Sequence, residues 1–425
     1  MIQKLIFVEK YFYYIALAIA FFFPLKTTIS EVLLLILLGI LLLAKYGRNI
    51  KSNLEKKEVK RSTTIVLFVV PTIAILFSET LYDSIRTIGK AFPFLWMPIL
   101  MLCLNTSQVK KFYKGIEHGF IFGGLIASVL MLLVIATQIW NTPEAPYIKN
   151  KIFNYYTTYY SFTTILSKHP TYIGAEILLA FLFVFRQIKM KKHPKLLFLW
   201  IGIACVLLVS LVFINSRIIL FVLFVLLLYL FLYYLSTLIR NKNYFKLISL
   251  FIIILTSIFS VSLFLKDSYV ISRFTNELKW ELSYQKNTKF NSKTTSDSRI
   301  ARWSSALQII KNKPIIGHGN NSEKRLLLEQ YQKDDLKHAI YYEYDSHNIY
   351  LSYFIEYGVW GTFVLLFFLL NQLYLALKTN DITWIAFVGM IIALGLTENY
   401  LRVNEGILLT ALFTSCFYFK NLNIK

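Results

Sequence analysis

Residues 196–235 read LLFLWIGIACVLLVSLVFINSRIILFVLFVLLLYLFLYYL, where the segment INSR at 214–217 is the one interruption of an otherwise apolar and aromatic run. Each half is about as long as the roughly 20 residues that a bilayer-spanning helix requires. The pair therefore reads as two transmembrane helices joined by a sharp turn, which sets the Arg217 guanidinium at or just below a membrane interface. An arginine at that depth is costly unless it is paired, so it marks either a functional site or an interfacial anchor that snorkels to water.

Working outward, apolar runs of the same kind recur at 11–25, 29–44, 63–77, 91–104, 119–140, 172–185, 247–265, 348–370, 382–397 and 406–419. With 56% hydrophobic and 17% aromatic residues, the chain cannot be a soluble multidomain protein. The expected fold is an all-α integral membrane protein of about twelve transmembrane helices; the first, fourth and sixth runs are short and their ends are open by several residues, which leaves eleven or thirteen crossings open. The first run continues directly into the second without a small-residue cleavage site, so no removable signal peptide is expected. Cys103, Cys205 and Cys416 all fall within apolar runs, without metal-ligand spacing, so neither a disulfide framework nor a metal site is expected.

The net charge of +22 could suggest nucleic acid, but Lys and Arg cluster in short connections between apolar runs, where they report membrane orientation instead. A cytoplasmic N-terminus puts Lys45, Arg48, Lys51, Lys56, Lys57, Lys60 and Arg61 inside, then Lys110, Lys111 and Lys114, then Arg186, Lys189, Lys191, Lys192 and Lys195, then Arg240, Lys242 and Lys246. The opposite connections hold Lys26, Arg86, Lys90, Lys149, Lys151, Lys168, Arg217 and Arg402. Both termini are thus expected in the cytoplasm of a bacterial inner membrane.

That orientation exports two long connections. The first, 141–171, carries Tyr147, Phe153, Tyr155, Tyr156, Tyr159 and Tyr160; the second, 266–347, is long enough to form a small domain. The chain accordingly divides into helices one to nine (1–265), a large periplasmic loop (266–347), and helices ten to twelve with the C-terminus (348–425). In the loop, 299–311 places Trp303, Ala306, Leu307 and Ile310 on one helical face, with Ser296 or Asp297 as cap and Pro314 as stop. PIIGHGNN then reads as a turn, followed by a second amphipathic stretch at 322–335.

Several polar residues converge on the predicted outer face. Arg299 shares a helix face with Trp303, and Arg302 lies on the neighbouring one; a solvated basic patch and a ligand site are both open readings. His347 stands at the first turn of the tenth predicted helix and is followed by Asn348. A helix N-terminus attracts phosphate, and a neutral imidazole beside it suits a general base, although a polar cap is the plainer role. Glu176 and Glu356 lie inside apolar runs and need partners; Glu398, Arg402 and Glu405 are explained by local ion pairing, and His169 and Tyr172 open the sixth helix towards the same face. No phosphate-binding loop, dinucleotide fingerprint or D-x-D pattern is present, which disfavours nucleotide-dependent chemistry.

SHNIYLSYFIEYGVWG (346–361) resembles the H-[NSQ]-x9-G-x-x-G signature of the O-antigen ligase family and its polymerase relatives, matched by His347, Asn348, Gly358 and Gly361. SRIARWSSALQIIKNKPIIGHG (298–319) is similar to the same superfamily's R-x3-W…P-x-x-G-x-G segment, through Arg299, Trp303, Pro314, Gly317 and Gly319, and INSR resembles its Ser-Arg at an outer helix end. The resemblance implies a metal-independent, cofactor-free membrane glycosyltransferase that takes a glycan from an undecaprenyl-diphosphate carrier at the periplasmic face. It implies Arg217 and Arg299 as binders of the donor diphosphate and His347 as the catalytic residue, with Arg302, Asn348, Glu398, Arg402 and His169 as secondary candidates. The implied partners are the carrier-linked glycan, inner-membrane lipids, and as acceptor lipid A-core for a ligase, another carrier-linked repeat for a polymerase, or a protein for a protein-glycosylating relative. From a different class, a lipid-linked oligosaccharide flippase would also have about twelve helices, but such transporters show repeated halves, and the halves here look unlike each other.

Overall fold

The computed structural model describes residues 2–43, 63–141, 152–190, 194–242, 263, 265–289 and 295–422. The basic connection 45–61, nearly all of the predicted ninth span (247–265) and Tyr147 lie outside the described residues. Those described are helical apart from loops and a two-residue antiparallel pairing of Thr288–Lys289 with Thr295–Ser296. Among them, six helices are long and apolar enough to cross a membrane, and four shorter apolar ones accompany them.

The membrane body comprises α1 (Ile2–Leu25), α2 (Thr27–Leu43), α3 (Val66–Ala74), α4 (Leu81–Ala91), α5 (Pro93–Leu102), α6 (Thr106–Asn141), α7 (Pro170–Lys189), α8 (Pro194–Ile214) and α9 (Arg217–Arg240). After these come α10 (Arg299–Asn312), α11 (Glu323–Asp334), α12 (Ile349–Lys378), α13 (Ile382–Gly395) and α14 (Asn404–Asn421). The fourth predicted run belongs to a candidate span that starts ten residues earlier, Leu81–Leu102, because the amphipathic α4 runs on into α5 at Pro93.

Lipid tails are as apolar as leucine, so helices in a bilayer associate through close packing more than through water exclusion. α1 and α6 form the most extensive helix pair, and α6 presents Gly115, Gly119 and Gly123 at four-residue intervals. A Cβ at these positions would lie 2.3, 2.2 and 2.2 Å from the carbonyl oxygens of Tyr13, Leu17 and Phe21, so only glycine permits this approach. At the centre stands α14, buried at every position from Gly406 to Phe419. Its shielding from lipid lets it carry hydroxyls, one of which, on Thr414, donates to the Thr410 carbonyl at 2.6 Å.

Beside the body, α10 and α11 build a second small core from Ala301, Ala306, Ile309, Ile310, Leu327 and Tyr331, closed by Leu336, Ala339 and Ile355. Ser298 caps α10 by accepting from the Ala301 N–H at 3.3 Å, which corrects the expectation of Ser296 or Asp297. Asp297 instead accepts from the N–H groups of Asn287, His338 and Ala339 and ties three stretches of the segment together.

α12 is broken at Gly358 (φ 61°, ψ −159°), a region essentially open to glycine alone. The break frees backbone groups, and the turn after α10 fills them: His318 N–H donates to Ile355 O (2.9 Å), Gly319 N–H to Glu356 O (2.8 Å), and Val359 N–H to Pro314 O (2.9 Å). Cβ atoms would lie 2.2 Å from Ile315 O at Gly358 and 2.4 Å from Glu356 O at Gly317. Gly317 and Gly358, one from each quoted motif, thus form the seam that fixes α10 against α12, and hence Arg299 against His347.

Candidate active site

The INSR turn is made by Asn215, in the left-handed region at φ 48°, with Ser216 at the N-cap position and Arg217 as the first residue of α9. Asn215 is tied down by Arg273, whose Nη1 donates to its carbonyl at 2.6 Å and whose guanidinium lies 3.6 Å from the centre of the Tyr159 ring. Arg273 was not among the sequence candidates, although it is 5% exposed and joins the aromatic connection to the turn.

The two predicted arginines come together, and they meet Arg302 around one carboxylate. Glu281 lies 3.8 Å from Arg217 Nη2, 3.5 Å from Arg299 Nε and 3.8 Å from Arg302 Nη2, and accepts from the Arg299 backbone N–H at 3.1 Å. The side-chain separations are longer than good hydrogen bonds. Arg217 Nη1 and both Nε and Nη1 of Arg302 are buried without a hydrogen-bond partner among the described residues. Three guanidinium groups against one carboxylate leave an excess of two positive charges, at the N-terminus of a long helix that itself favours anions. Arg299 is further held by donating from Nη1 to Thr397 O (2.8 Å), and Arg302 stacks over Tyr344 at 4.8 Å.

His347 does not begin α12. Asn348 is the N-cap, its Oδ1 accepting from Tyr350 and Leu351 N–H, and His347 precedes it with φ 46°. The His347 Nδ1 lies 3.0 Å from Asp345 Oδ1 and 3.8 Å from Glu398 Oε2. Burial works to raise the Asp345 pKa, but the His347 hydrogen bonds and charge, with a hydrogen bond from Asn399, hold it well below the usual carboxylate range. Asp345 thus stays ionised, and whenever the imidazole is neutral this carboxylate sets its one proton on Nδ1 and the lone pair on Nε2.

Of the secondary candidates, His169 caps α7, its Nδ1 accepting from Thr171 N–H at 3.3 Å. Its pKa is lowered first by burial and then by His347, Arg299 and Arg273, with Glu398 opposing, so it is uncharged at neutral pH. Glu398 joins the INSR turn through Thr171, whose Oγ1 donates to it at 3.4 Å and accepts from Ser216 Oγ at 3.2 Å. The expected local pairing of Glu398, Arg402 and Glu405 is not what forms. Arg402 instead reaches Glu356 (2.7 Å) and Glu323, crossing to α12 and α11, because those buried carboxylates have greater need of a counter-charge. Glu323 also accepts from Ser346 Oγ at 2.5 Å, and Ser346 O accepts from Trp303 Nε1 at 2.8 Å, so the residue before His347 is fixed from both sides. Glu176 pairs with Lys168, which places both carboxylate oxygens 2.8 Å from Nζ.

Glu281 gave no signal in the sequence: it lies in a polar segment, and only the fold brings it to arginines of two other elements. Asp345 had one signal, its place two residues before His347.

A search of the curated proteins finds no match to the chain. Residues 202–366 match the family model described as O-antigen ligase, a span that includes Arg217, Glu281, Arg299, Arg302, Asp345, His347, Asn348 and Gly358 and leaves out His169, Glu398 and Arg402. Six helices among the described residues are long and apolar enough to cross a membrane, which points to a multi-pass membrane protein. The match covers 165 of the 425 residues and supports the O-antigen ligase and polymerase superfamily for that part of the chain.

Proposed function

We propose that the protein transfers a glycan from an undecaprenyl-diphosphate carrier to lipid A-core at the periplasmic face of the inner membrane. The observation that carries this reading is the arginine cluster: two excess positive charges, with donors of Arg217 and Arg302 buried and unpartnered among the described residues, suit the two ionised phosphoryl groups of a lipid diphosphate. The 266–347 segment supplies Glu281, Arg299, Arg302 and His347 to the proposed site.

In the reaction, an acceptor hydroxyl attacks the anomeric carbon. The new C–O bond forms as the bond to the phosphate oxygen breaks, and the electron pair leaves on the diphosphate. The hydroxyl proton passes to His347 Nε2 and later to solvent, while the arginines stabilise the charge on the leaving group. No metal is assigned to these steps.

The test uses the purified chain with a synthetic carrier-linked glycan and lipid A-core. Product should form with the wild type and be lost in both Arg217→Ala and Arg217→Lys, because lysine keeps the charge but not the two-pronged geometry. Full activity in the lysine variant overturns the bidentate role. Elongation of the carrier-linked glycan without use of lipid A-core would make the protein a polymerase, and glycan movement across the bilayer without bond formation would make it a transporter.

A further inference from the structure

Two of the basic clusters that set the expected orientation meet in one cavity, at the end of the bundle away from the arginine cluster. It has a volume of about 570 Å³ and lies among the N-terminal turns of α6 and α8 and the C-terminal turns of α7 and α14. The charges at its floor are already balanced: Arg186 Nη1 lies 3.2 Å from Glu117, Lys420 lies 2.8 Å from Asp381, and Gln187 donates to Glu117 at 2.6 Å. At its rim stand Lys110 and Lys114, one helical turn apart on α6, both exposed and without an ion-pair partner among the described residues. α8 contributes Leu196, Leu197 and Trp200 to the lining as an apolar wall.

Two free ammonium groups and an apolar wall in one cavity match an amphiphile that carries a phosphate ester and a hydrocarbon chain. A soluble phosphate would use the lysines and leave the wall in water. A zwitterionic head group would bring its own cation against them. We propose that this cavity binds one anionic phospholipid, its phosphate between Lys110 and Lys114 and an acyl chain along Leu196, Leu197 and Trp200. The site is independent of the glycan chemistry at the other end.

The test is native mass spectrometry of the full chain released from vesicles of phosphatidylglycerol and phosphatidylcholine in equal parts. One phosphatidylglycerol per chain should be retained in preference to phosphatidylcholine. Lys110→Gln/Lys114→Gln should weaken retention by roughly 10- to 30-fold, whereas the charge-matched Lys311→Gln/Lys313→Gln, exposed in the loop segment, should keep it. A thermal melt with soluble glycerophosphate separates the sources: phosphatidylglycerol should raise the midpoint and glycerophosphate should not. Equal retention of the two lipids, unchanged retention in the Lys110/Lys114 variant, or a full shift with glycerophosphate would each overturn the proposal.

Discussion

At the scale of single residues, the cluster is governed by one carboxylate and one hydrogen bond. Glu281 sits among three arginines at distances that neutralise part of their charge without satisfying their donors. Its replacement by Gln keeps an acceptor for the Arg299 N–H but removes a negative charge from the seat proposed for the diphosphate. Glu281→Gln should therefore tighten binding of undecaprenyl diphosphate several-fold and slow its release after transfer, as read by titration calorimetry and turnover. Equal affinity in the two proteins would reduce Glu281 to a cap of α10. The Asp345 hydrogen bond should matter for rate more than for binding, since it selects the nitrogen of His347 that stays free. His347→Ala should lower turnover by roughly 10²- to 10⁴-fold with donor affinity largely kept, and Asp345→Asn should lower turnover in the same sense. Because the folded pKa of Asp345 is depressed, its contribution to stability is present above the unfolded value of about 3.9 and is lost as pH falls through the lower folded value. The Asn variant should lack that part of the acid sensitivity in a thermal melt. Arg217, Arg299 and His347 were legible because each lies in a motif or a break in an apolar run. Glu281 and Arg273 were not, since neither periodicity nor spacing distinguishes them from solvated loop charges.

Among the elements, the decisive joint is the seam between the turn after α10 and the break in α12. The break exposes two carbonyls and one N–H, and the turn meets all three with its own backbone, so the register of Arg299 relative to His347 is set by main-chain hydrogen bonds. Gly358→Ala places a Cβ where Ile315 O already lies 2.2 Å away and forces alanine into a glycine-only backbone region. The strain alone costs about 1–3 kcal/mol, and relief requires the seam to open. The variant should remain in the membrane, melt at lower temperature, and lose transfer, with proteolysis of the 266–347 segment becoming faster. Wild-type melting and activity would show that the seam does not position the site. The apolar runs foretold most of these helices to within a few residues, and Pro314 marked the end of α10. The break in α12 was hidden inside a continuous apolar pattern, because Gly358 and Gly361 look the same whether a helix bends there or only packs closely. Likewise the glycines at 115, 119 and 123 read as part of a long run, and only the approach of α1 reveals why they recur.

For the whole molecule, the placement of charge and the placement of the site must agree. Four described helices, α6, α7, α8 and α14, run between the cavity lined by Lys110, Lys114, Arg186 and Lys420 and the end that carries Asn141, His169, Asn215 and Arg402. By the positive-inside rule the first end is expected in the cytoplasm, and the proposed function needs the cluster of Arg217, Arg299 and His347 on the outer side, where a carrier-linked glycan would be presented. The α10–α11 core lies beside the same end, because its turn docks on the first turns of α12. Cysteine labelling tests this agreement without any assay of function. Cys205 is exposed, so it is first replaced by Ser; single cysteines then go at Lys111, at the start of α6, and at Lys311, at the end of α10, both exposed. A membrane-impermeant maleimide added to intact spheroplasts should label Lys311→Cys at once and Lys111→Cys only after permeabilisation. Labelling of both from one side would mean that α6 does not separate the two ends, and would remove the convergence on which the glycosyltransferase reading depends. The reversed pattern would keep the site intact and turn it towards the cytoplasm, where a periplasmic acceptor is out of reach.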